Sequence, residues 1–294
     1  MVKDYFTDKT KVFELELEDI FIFDESKEDE YKNIARKISK ETGVPASCIY
    51  AGKYAFRVFN WHKIDGEWYY YKSTTDFEFF NELLGVVISR YFGLDTVDYQ
   101  PSRLSIKKHD DRYGVISKNF CNPDFNYSFL DFNEVDLSCF SQDLSVLTAI
   151  KKLCSSDEEY NLLQDDFKKM IVRDLYTGES DRRVANFLFK NDGRGVRLAP
   201  LYDYGDSYLN INNANRYMAD FCDLDITKEN IQVAFQNDEG FQELLNSMMQ
   251  ADMDSFINEV SEKHEIIVPD DEKKRFKRYD TKIKSLVLEN RLIK

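Results

Sequence analysis

Two aspartates and an asparagine stand close together in segment 178–207, and all three side chains carry oxygens that can bind a hard metal ion. They are Asp181, Asn186 and Asp203. Between the last two, the apolar runs 187–189 and 196–201 flank the sequence Asn-Asp-Gly-Arg-Gly. Because such a sequence favours a turn with positive φ, the segment predicts a β-hairpin. Pairing of its arms would bring the Asn186 amide and the Asp203 carboxylate to the same open end, where two oxygen ligands suit Mg²⁺.

The spacing of these residues matches the one by which protein kinases handle a nucleotide. Asp181 precedes Asn186 by five positions. In kinases an Asp at this spacing accepts the proton of the substrate hydroxyl, and the Asn binds the second Mg²⁺. The tripeptide Asp203-Tyr204-Gly205 then stands where kinases have Asp-Phe-Gly. In a chain rich in acidic residues the same spacing also arises by chance, so a solvated structural hairpin is the alternative.

A lysine among aromatic residues adds a second element of such a site. Lys72 follows Trp68 and three tyrosines at the end of a predicted strand, and its ammonium there requires an acidic or phosphate partner. A helix predicted from about Asp76 to Phe92 carries Glu82, which we expect to pair with Lys72 as the αC glutamate of kinases does. Glu78 is the rival partner, and either glutamate can instead be a solvated charge on the polar side of the helix.

Composition and charge exclude several other classes of function. The chain has 294 residues with 43% hydrophobic side chains, enough for one large domain or two lobes. Its formal net charge of −14 repels a polyanion, so direct binding of nucleic acid is not expected. Five scattered cysteines and three histidines show no metal-binding or nucleophile spacing. Without an apolar segment long enough to cross a bilayer, or a leader-like start, the sequence predicts a cytoplasmic protein with no membrane contact.

The pattern of apolar residues changes near residue 120. Before it, strands are predicted at 12–23, 49–60, 68–72, 97–106 and 113–120, and together they form an antiparallel sheet. A helix is predicted at 25–42, in addition to the one that carries Glu82. After it, helices are predicted at 144–154, 158–176, 227–235, 240–249, 252–264 and 270–292. This order predicts an α+β, bilobal, protein-kinase-like fold: a β-rich nucleotide-binding lobe at 1–120 and a helical lobe at 121–294 with the catalytic and metal-binding segment.

From about Ala51 to Ser207 the sequence resembles the HipA-like serine/threonine kinases of bacteria. Four passages carry the resemblance: Ala51-Gly52 for the AG-x-x-x-K phosphate loop, Asn81-Glu82 with Gly93-Leu94 for an NE…GL helix, 181–186 for D-x-H-x-x-N, and LAPLYDYGDS at 198–207 for L-x-P-x-YD…S. The last two passages are the most specific.

The resemblance implies an enzyme that uses ATP and Mg²⁺. In such an enzyme Lys72, braced by Glu82, holds the nucleotide phosphates, Asp181 is the catalytic aspartate, and Asn186 and Asp203 are the metal ligands.

The resemblance also implies how the rest of the nucleotide is held. Gly52 belongs to the phosphate loop, and the segment 116–120, with Ser117, Lys118 and Phe120, resembles the hinge whose backbone pairs with adenine. Two departures from the family pattern stand out: Arg183 replaces the histidine of the catalytic loop, and the phosphate loop has a single glycine. Arg182 or Arg183 can steady a phosphate or, as we favour, pair with the acidic surface.

The predicted function is transfer of the γ-phosphate of ATP to a hydroxyl, most simply of Ser or Thr in a protein. Two alternatives remain open on the sequence: a small-molecule kinase, and a catalytically silent kinase-fold binding module of a toxin–antitoxin-type pair. The resemblance further implies an antitoxin-like protein partner, and the acidic surface favours a basic one.

Overall fold

The computed structural model describes residues 2–17, 24–50, 58–107, 109–121, 150–151, 154–182, 187–191, 195–222 and 224–294. Three residues singled out in the sequence, Gly52, Arg183 and Asn186, lie outside these ranges, as does most of the helix predicted at 144–154. Within the described ranges no helix is both long and apolar enough to span a membrane.

Seven strands are present in the described part of the chain: β1 (Phe13–Leu17), β2 (Trp61–Ile64), β3 (Glu67–Ser73), β4 (Gln100–Ile106), β5 (Arg112–Lys118), β6 (Phe189–Asn191) and β7 (Val196–Leu198). The first five form one sheet in the order β1-β4-β5-β3-β2. β2 and β3 are joined by Asp65 and Gly66, which both have positive φ, as the tight turn of a two-residue hairpin requires. β6 and β7 form the predicted hairpin, with Phe189 opposite Leu198.

Nine α-helices are present in the same described ranges: α1 (Glu28–Thr42), α2 (Ala46–Ile49), α3 (Asp76–Tyr91), α4 (Asp157–Thr177), α5 (Ile211–Phe221), α6 (Glu229–Gln236), α7 (Glu239–Gln250), α8 (Met253–His264) and α9 (Asp270–Glu289). The main hydrophobic core joins α3 to the helices that follow residue 150, and it includes Phe80, Leu84 and Ile88 of α3 together with Phe167 and Ile171 of α4. The β-rich first part and the helical second part are thus the α+β arrangement that the sequence predicted.

Two predictions about individual elements were wrong, and one helix was not predicted. The sheet is mixed, because β1 pairs with β4 in parallel. The strand predicted at 49–60 does not extend to its predicted ends: Ile49 belongs to the helix Ala46–Ile49, residues 58–60 form a short helical turn, and β2 begins at Trp61, while residues 51–57 lie outside the described residues. Helix α5 was not predicted, since its asparagine-rich sequence has low helix propensity, and burial of Ala214, Tyr217 and Met218 stabilises it instead.

Candidate functional site

The loop that carries Asp203 is held against the first part of the chain. Thr96 and Leu201 form a parallel bridge, and the Leu201 N–H donates to the Asp95 carbonyl at 2.9 Å. Two residues later, Asp203 adopts a left-handed backbone with φ of 62°, which is uncommon for any residue other than glycine. Its N–H donates to the hydroxyl of Tyr99 at 3.2 Å. The neighbouring segment therefore fixes an unfavourable backbone conformation at the predicted metal ligand.

Lys72 lies on β3 opposite Val115 and reaches the Asp203 loop. Its ammonium forms ion pairs with the carboxylates of Glu82 and Asp203. Burial on its own lowers the pKa of the Lys72 ammonium, but these two carboxylates more than offset that effect, and the pKa lies well above its ordinary value. Lys72 is therefore charged at any physiological pH.

Glu82, on α3, is fully buried and joins two parts of the site. One carboxylate oxygen pairs with Lys72, and the other accepts the backbone N–H of Tyr204 at 2.9 Å. Burial raises the pKa of Glu82, with the Lys72 charge opposing that shift and the Asp203 charge adding to it. The carboxyl is thus positioned by both a cation and a backbone donor.

Glu78, the rival partner for Lys72, has a different role. Its carboxylate accepts the N–H and the hydroxyl of Thr75, at 2.7 and 2.8 Å, in a capping box that begins α3. Because this box fixes where α3 starts, it also fixes which side of the helix presents Glu82 to Lys72. The choice that the sequence left open between the two glutamates is settled in favour of Glu82.

Tyr204 occupies a notch in α3 that exists because residue 85 is glycine. A Cβ added at Gly85 would lie 2.4 Å from Tyr204 Cγ, closer than any real contact. The Tyr204 hydroxyl lies 2.5 Å from the Thr96 hydroxyl, and the guanidinium of Arg173 is 4.3 Å from the ring centroid. Packing on all sides therefore fixes the residue that follows Asp203.

Asn81 secures the end of the same loop. Its amide nitrogen donates to the carbonyls of Gly205 and Ser207, both at 2.7 Å, and its amide oxygen accepts from Arg275 of α9 at 2.9 Å. Arg275 also donates to the Tyr208 carbonyl at 3.3 Å. The last long helix thus supports the loop through a buried asparagine.

Asp181 follows the end of α4. That helix ends at Gly178, whose φ of 60° and close approach to Tyr279, where a Cβ would be 1.8 Å from the hydroxyl, both require glycine. The Asp181 N–H donates to the carboxylate of Glu179 at 2.9 Å. Burial raises the pKa of Asp206, and the nearby carboxylates of Asp181 and Asp203 raise it further, which shows that the three acids share one region.

Arg182 lies in the interior and not on the acidic surface. It is buried and donates to both oxygens of Asp174, at 3.0 and 3.3 Å, and to the carbonyl of Tyr202 at 2.9 Å. The expectation that it pairs with the acidic surface was therefore wrong. Arg182 links the end of α4 to the residue just before Asp203.

The predicted hinge lies at the end of β5. Ile116 pairs with Gln100 of β4, whereas Ser117 and Lys118 pair only with β3, so among the described residues the ladder on the β4 side ends at Ile116. The Lys118 side chain is exposed and lies 3.2 Å from Glu67. Phe120 stacks on Tyr202 with ring centroids 6.3 Å apart. The backbone after Ile116 therefore has one edge free of β4, while Phe120 contacts the start of the Asp203 loop.

The structure brings Lys72, Glu82 and Asp203 into contact and places Asp181 nearby through its effect on Asp206. Gly52 and Asn186 lie outside the described residues. Within the described part of the chain, no three Cys, His, Asp or Glu side chains are grouped so as to hold a metal ion. A magnesium site at Asn186 and Asp203 therefore stays a prediction.

Several residues that build the site were not predicted as doing so. No local pattern marks Glu179, Arg275 or the notch at Gly85, because their contacts join positions far apart in the chain. For Asp206 a signal existed in its position three residues after Asp203, but a single further acid in an acidic chain carries little weight.

No protein-family model matches the sequence, and no curated protein matches it in sequence. Two solved structures show similarity to this chain. One is the proinflammatory kinase CtkA of Helicobacter pylori, with a TM-score of 0.54 and 18% identity over 78% of this chain and 91% of that one. The other is HipA of Shewanella oneidensis MR-1, solved with HipB and operator DNA, with a TM-score of 0.43 and 11% identity over 76% and 58%. The weaker likeness carries no further conclusion. The likeness to CtkA, together with the β-rich and helical parts described above, confirms that this chain has a protein-kinase-like fold.

Proposed function

We propose that the protein is an ATP- and Mg²⁺-dependent kinase that transfers the γ-phosphoryl group to a hydroxyl, with Ser or Thr of a protein as the acceptor. The observation that carries the proposal is the ammonium of Lys72 held between the buried Glu82 and Asp203. A structural hairpin does not need a buried glutamate on α3, a lysine on β3 and an aspartate of a distant loop to meet at one point.

The charges of the site fit a nucleotide with its metal. Around the single ammonium of Lys72 lie the carboxylates of Glu82 and Asp203, with those of Asp181 and Asp206 close by. This excess of negative charge in a partly buried region favours a divalent cation, and half-exposed Asp203 is accessible to one. Mg²⁺ bound there would neutralise charge that develops on the phosphate oxygens. From the sequence, Asn186 would be its second ligand.

Each described residue has a task that follows from its contacts. An ammonium has three N–H donors, and the described residues engage two of those of Lys72, which leaves one for a phosphate oxygen. Glu82 keeps Lys72 in place and ties it to the Tyr204 backbone. Asp181 takes the proton of the acceptor hydroxyl, a general-base role worth about 10²- to 10⁴-fold in rate. The free backbone edge of Ser117 and Lys118 suits the hydrogen-bonding edge of adenine.

The test is to incubate the purified chain with γ-labelled ATP and Mg²⁺ and to follow both labelled protein and loss of ATP. We compare wild type with Asp181→Asn, which keeps the size of the side chain and its backbone hydrogen bond but removes the base. Asp165→Asn removes an exposed carboxylate of α4 and serves as the matched control. We expect transfer by wild type and the control, and a loss of about 10²- to 10⁴-fold in Asp181→Asn.

The outcomes separate the proposed function from its alternatives. Label on the chain or on an added protein supports a protein kinase, whereas Asp181-dependent label on an added small-molecule hydroxyl compound, and not on protein, indicates a small-molecule kinase; ATP loss with neither label is hydrolysis by water. Mg²⁺-dependent ATP binding, measured calorimetrically, without any turnover indicates the silent binding module. Equal rates in wild type and Asp181→Asn would refute the catalytic role of that residue. An antitoxin-like partner and a cytoplasmic location stay predictions from the sequence.

A further inference from the structure

Glu179 is a buried carboxylate that connects the catalytic segment with the Asp203 loop. Only 1% of the residue is exposed. One oxygen accepts the backbone N–H of Asp181 at 2.9 Å, and the other accepts the hydroxyl of fully buried Ser207 at 2.9 Å. A single side chain therefore sets the distance between the backbone of the proposed base and the loop that follows Asp203.

Charged and phenolic side chains surround the carboxylate of Glu179. Arg173 and Asp174 at the end of α4 face it, together with Arg182. The phenols of Tyr208 and, on α9, Tyr279 are also close enough to be influenced by its charge.

When Glu179 is ionised, the charges of Arg173 and Arg182 are cancelled by those of Asp174 and Glu179, so the cluster has no net charge. When Glu179 is protonated, the cluster carries one net positive charge. Burial, with Arg182 opposing it, raises the pKa of Glu179 to about 7.

We propose that Glu179 is a positioning residue whose ionised form holds the backbone of Asp181 against Ser207 for catalysis, and whose protonation reduces phosphoryl transfer. The catalytic half of this inference rests on the proposed function, whereas the coupling between Glu179 and the Asp181 backbone does not.

The reason lies in the direction of the hydrogen bonds. The carboxylate has only acceptors, so it receives both the Asp181 N–H and the Ser207 O–H. When one of its oxygens is protonated, that oxygen becomes a donor to Ser207, and the hydroxyl of Ser207 must turn to another acceptor. The remaining oxygen accepts the Asp181 N–H more weakly, because the charge assistance is gone.

The first measurement tests the coupling between Glu179 and the Asp181 backbone in the absence of nucleotide. In protein labelled with ¹⁵N-aspartate, the amide signal of Asp181 is assigned by its loss in Asp181→Asn and followed from pH 5.5 to 8.5. We expect its proton shift to move with a midpoint near 7 in wild type. In Glu179→Gln the amide oxygen can still accept the Asp181 N–H but does not titrate, so the signal should stay constant. Asp206→Asn, which removes another nearby acid, should leave the titration in place.

The second measurement is the pH dependence of transfer at saturating ATP and Mg²⁺. We expect the wild-type rate to rise several-fold between pH 6 and 8, and Glu179→Gln, which resembles the protonated form, to stay near the low level across that range. A merely structural role would lower the rate of the variant without removing the pH dependence.

The two measurements can refute the coupling and the catalytic half of the inference independently. An Asp181 amide that does not titrate, or titrates equally in Glu179→Gln, overturns the coupling whether or not the protein is a kinase. A normal amide titration with no transfer at any pH overturns the proposed function and the catalytic half of the inference. A wild-type pH profile that Glu179→Gln reproduces overturns the catalytic half alone.

Discussion

The notch in α3 at Gly85 allows a prediction that does not depend on the function of the protein. In Gly85→Ala the new Cβ would lie 2.4 Å from Cγ and 2.6 Å from Cβ of Tyr204. Carbon atoms in good contact are about 3.5–4.0 Å apart, so the helix and the tyrosine must separate by about 1 Å. The atoms that clash are at the base of the Tyr204 side chain, so rotation of the ring cannot relieve the overlap.

The size of the effect follows from two opposing contributions. Alanine in place of a helical glycine stabilises by about 0.5–1 kcal/mol, whereas overpacking of a core destabilises by about 1–3 kcal/mol. We therefore expect a net loss of about 1–2 kcal/mol. For 294 residues, an unfolding entropy of about 2.1 cal/mol/K per residue converts this into a fall in Tm of roughly 2–3 °C.

Scanning calorimetry of Gly85→Ala against wild type is the assay, with Gly240→Ala as the matched control. Gly240 lies in the first turn of α7, and its added Cβ would come no closer than 3.2 Å to the Asp238 side chain. The control should change Tm by less than 1 °C or raise it, because helix propensity then dominates. If Gly85→Ala is as stable as Gly240→Ala, Tyr204 does not fill the notch, and the account of how the Asp203 loop is held is wrong.

Three further outcomes are expected. Arg182→Met should destabilise the fold by about 3–5 kcal/mol in denaturant titrations, because it removes a partner of the buried Asp174; a loss below 1 kcal/mol would contradict this. Glu82→Gln should weaken Mg²⁺–ATP binding about 10- to 100-fold by calorimetry, whereas Glu78→Gln, which keeps a capping box, should leave it nearly unchanged. Because folding raises the pKa of Glu179 from 4.5 to about 7, its contribution to stability is fully present below pH 4.5 and is lost as pH rises through 7. Glu179→Gln should therefore gain stability relative to wild type between pH 5 and 8, by up to about 3 kcal/mol, and a constant difference in Tm across that range would refute the shifted pKa.

The sequence was most informative where local pattern and chemistry agreed. The lysine on an aromatic strand, the acid on the following helix and the Asp-Tyr-Gly tripeptide were enough to predict the contact of Lys72 with Glu82 and the kinase-like order of elements. The hairpin of β6 and β7 followed from its turn residues and the apolar runs on either side of them.

Where the sequence failed, contacts distant in the chain had overridden the local pattern. Glu82 was placed on a polar side of α3, but α3 is buried on several sides, and both Asn81 and Glu82 are fully enclosed. The parallel pairing of β1 with β4 joins residues about ninety positions apart, and a local pattern of apolar residues cannot predict such a pairing. The burial of Arg182 depends on Asp174 at the end of α4 and on Tyr202, and therefore on the finished tertiary structure.

The support that α9 gives to the Asp203 loop has a consequence for the protein during its synthesis. Arg275 donates to Asn81, and Tyr279 packs against Gly178, so residues of α9 complete a site whose lysine is made some two hundred residues earlier. A nascent chain can form β3 and α3 well before these contacts exist. The loop that presents Asp203 then lacks its final support until α9 leaves the ribosome. The contacts around Lys72 and Asp203 are therefore expected to be complete only after α9 has been synthesised.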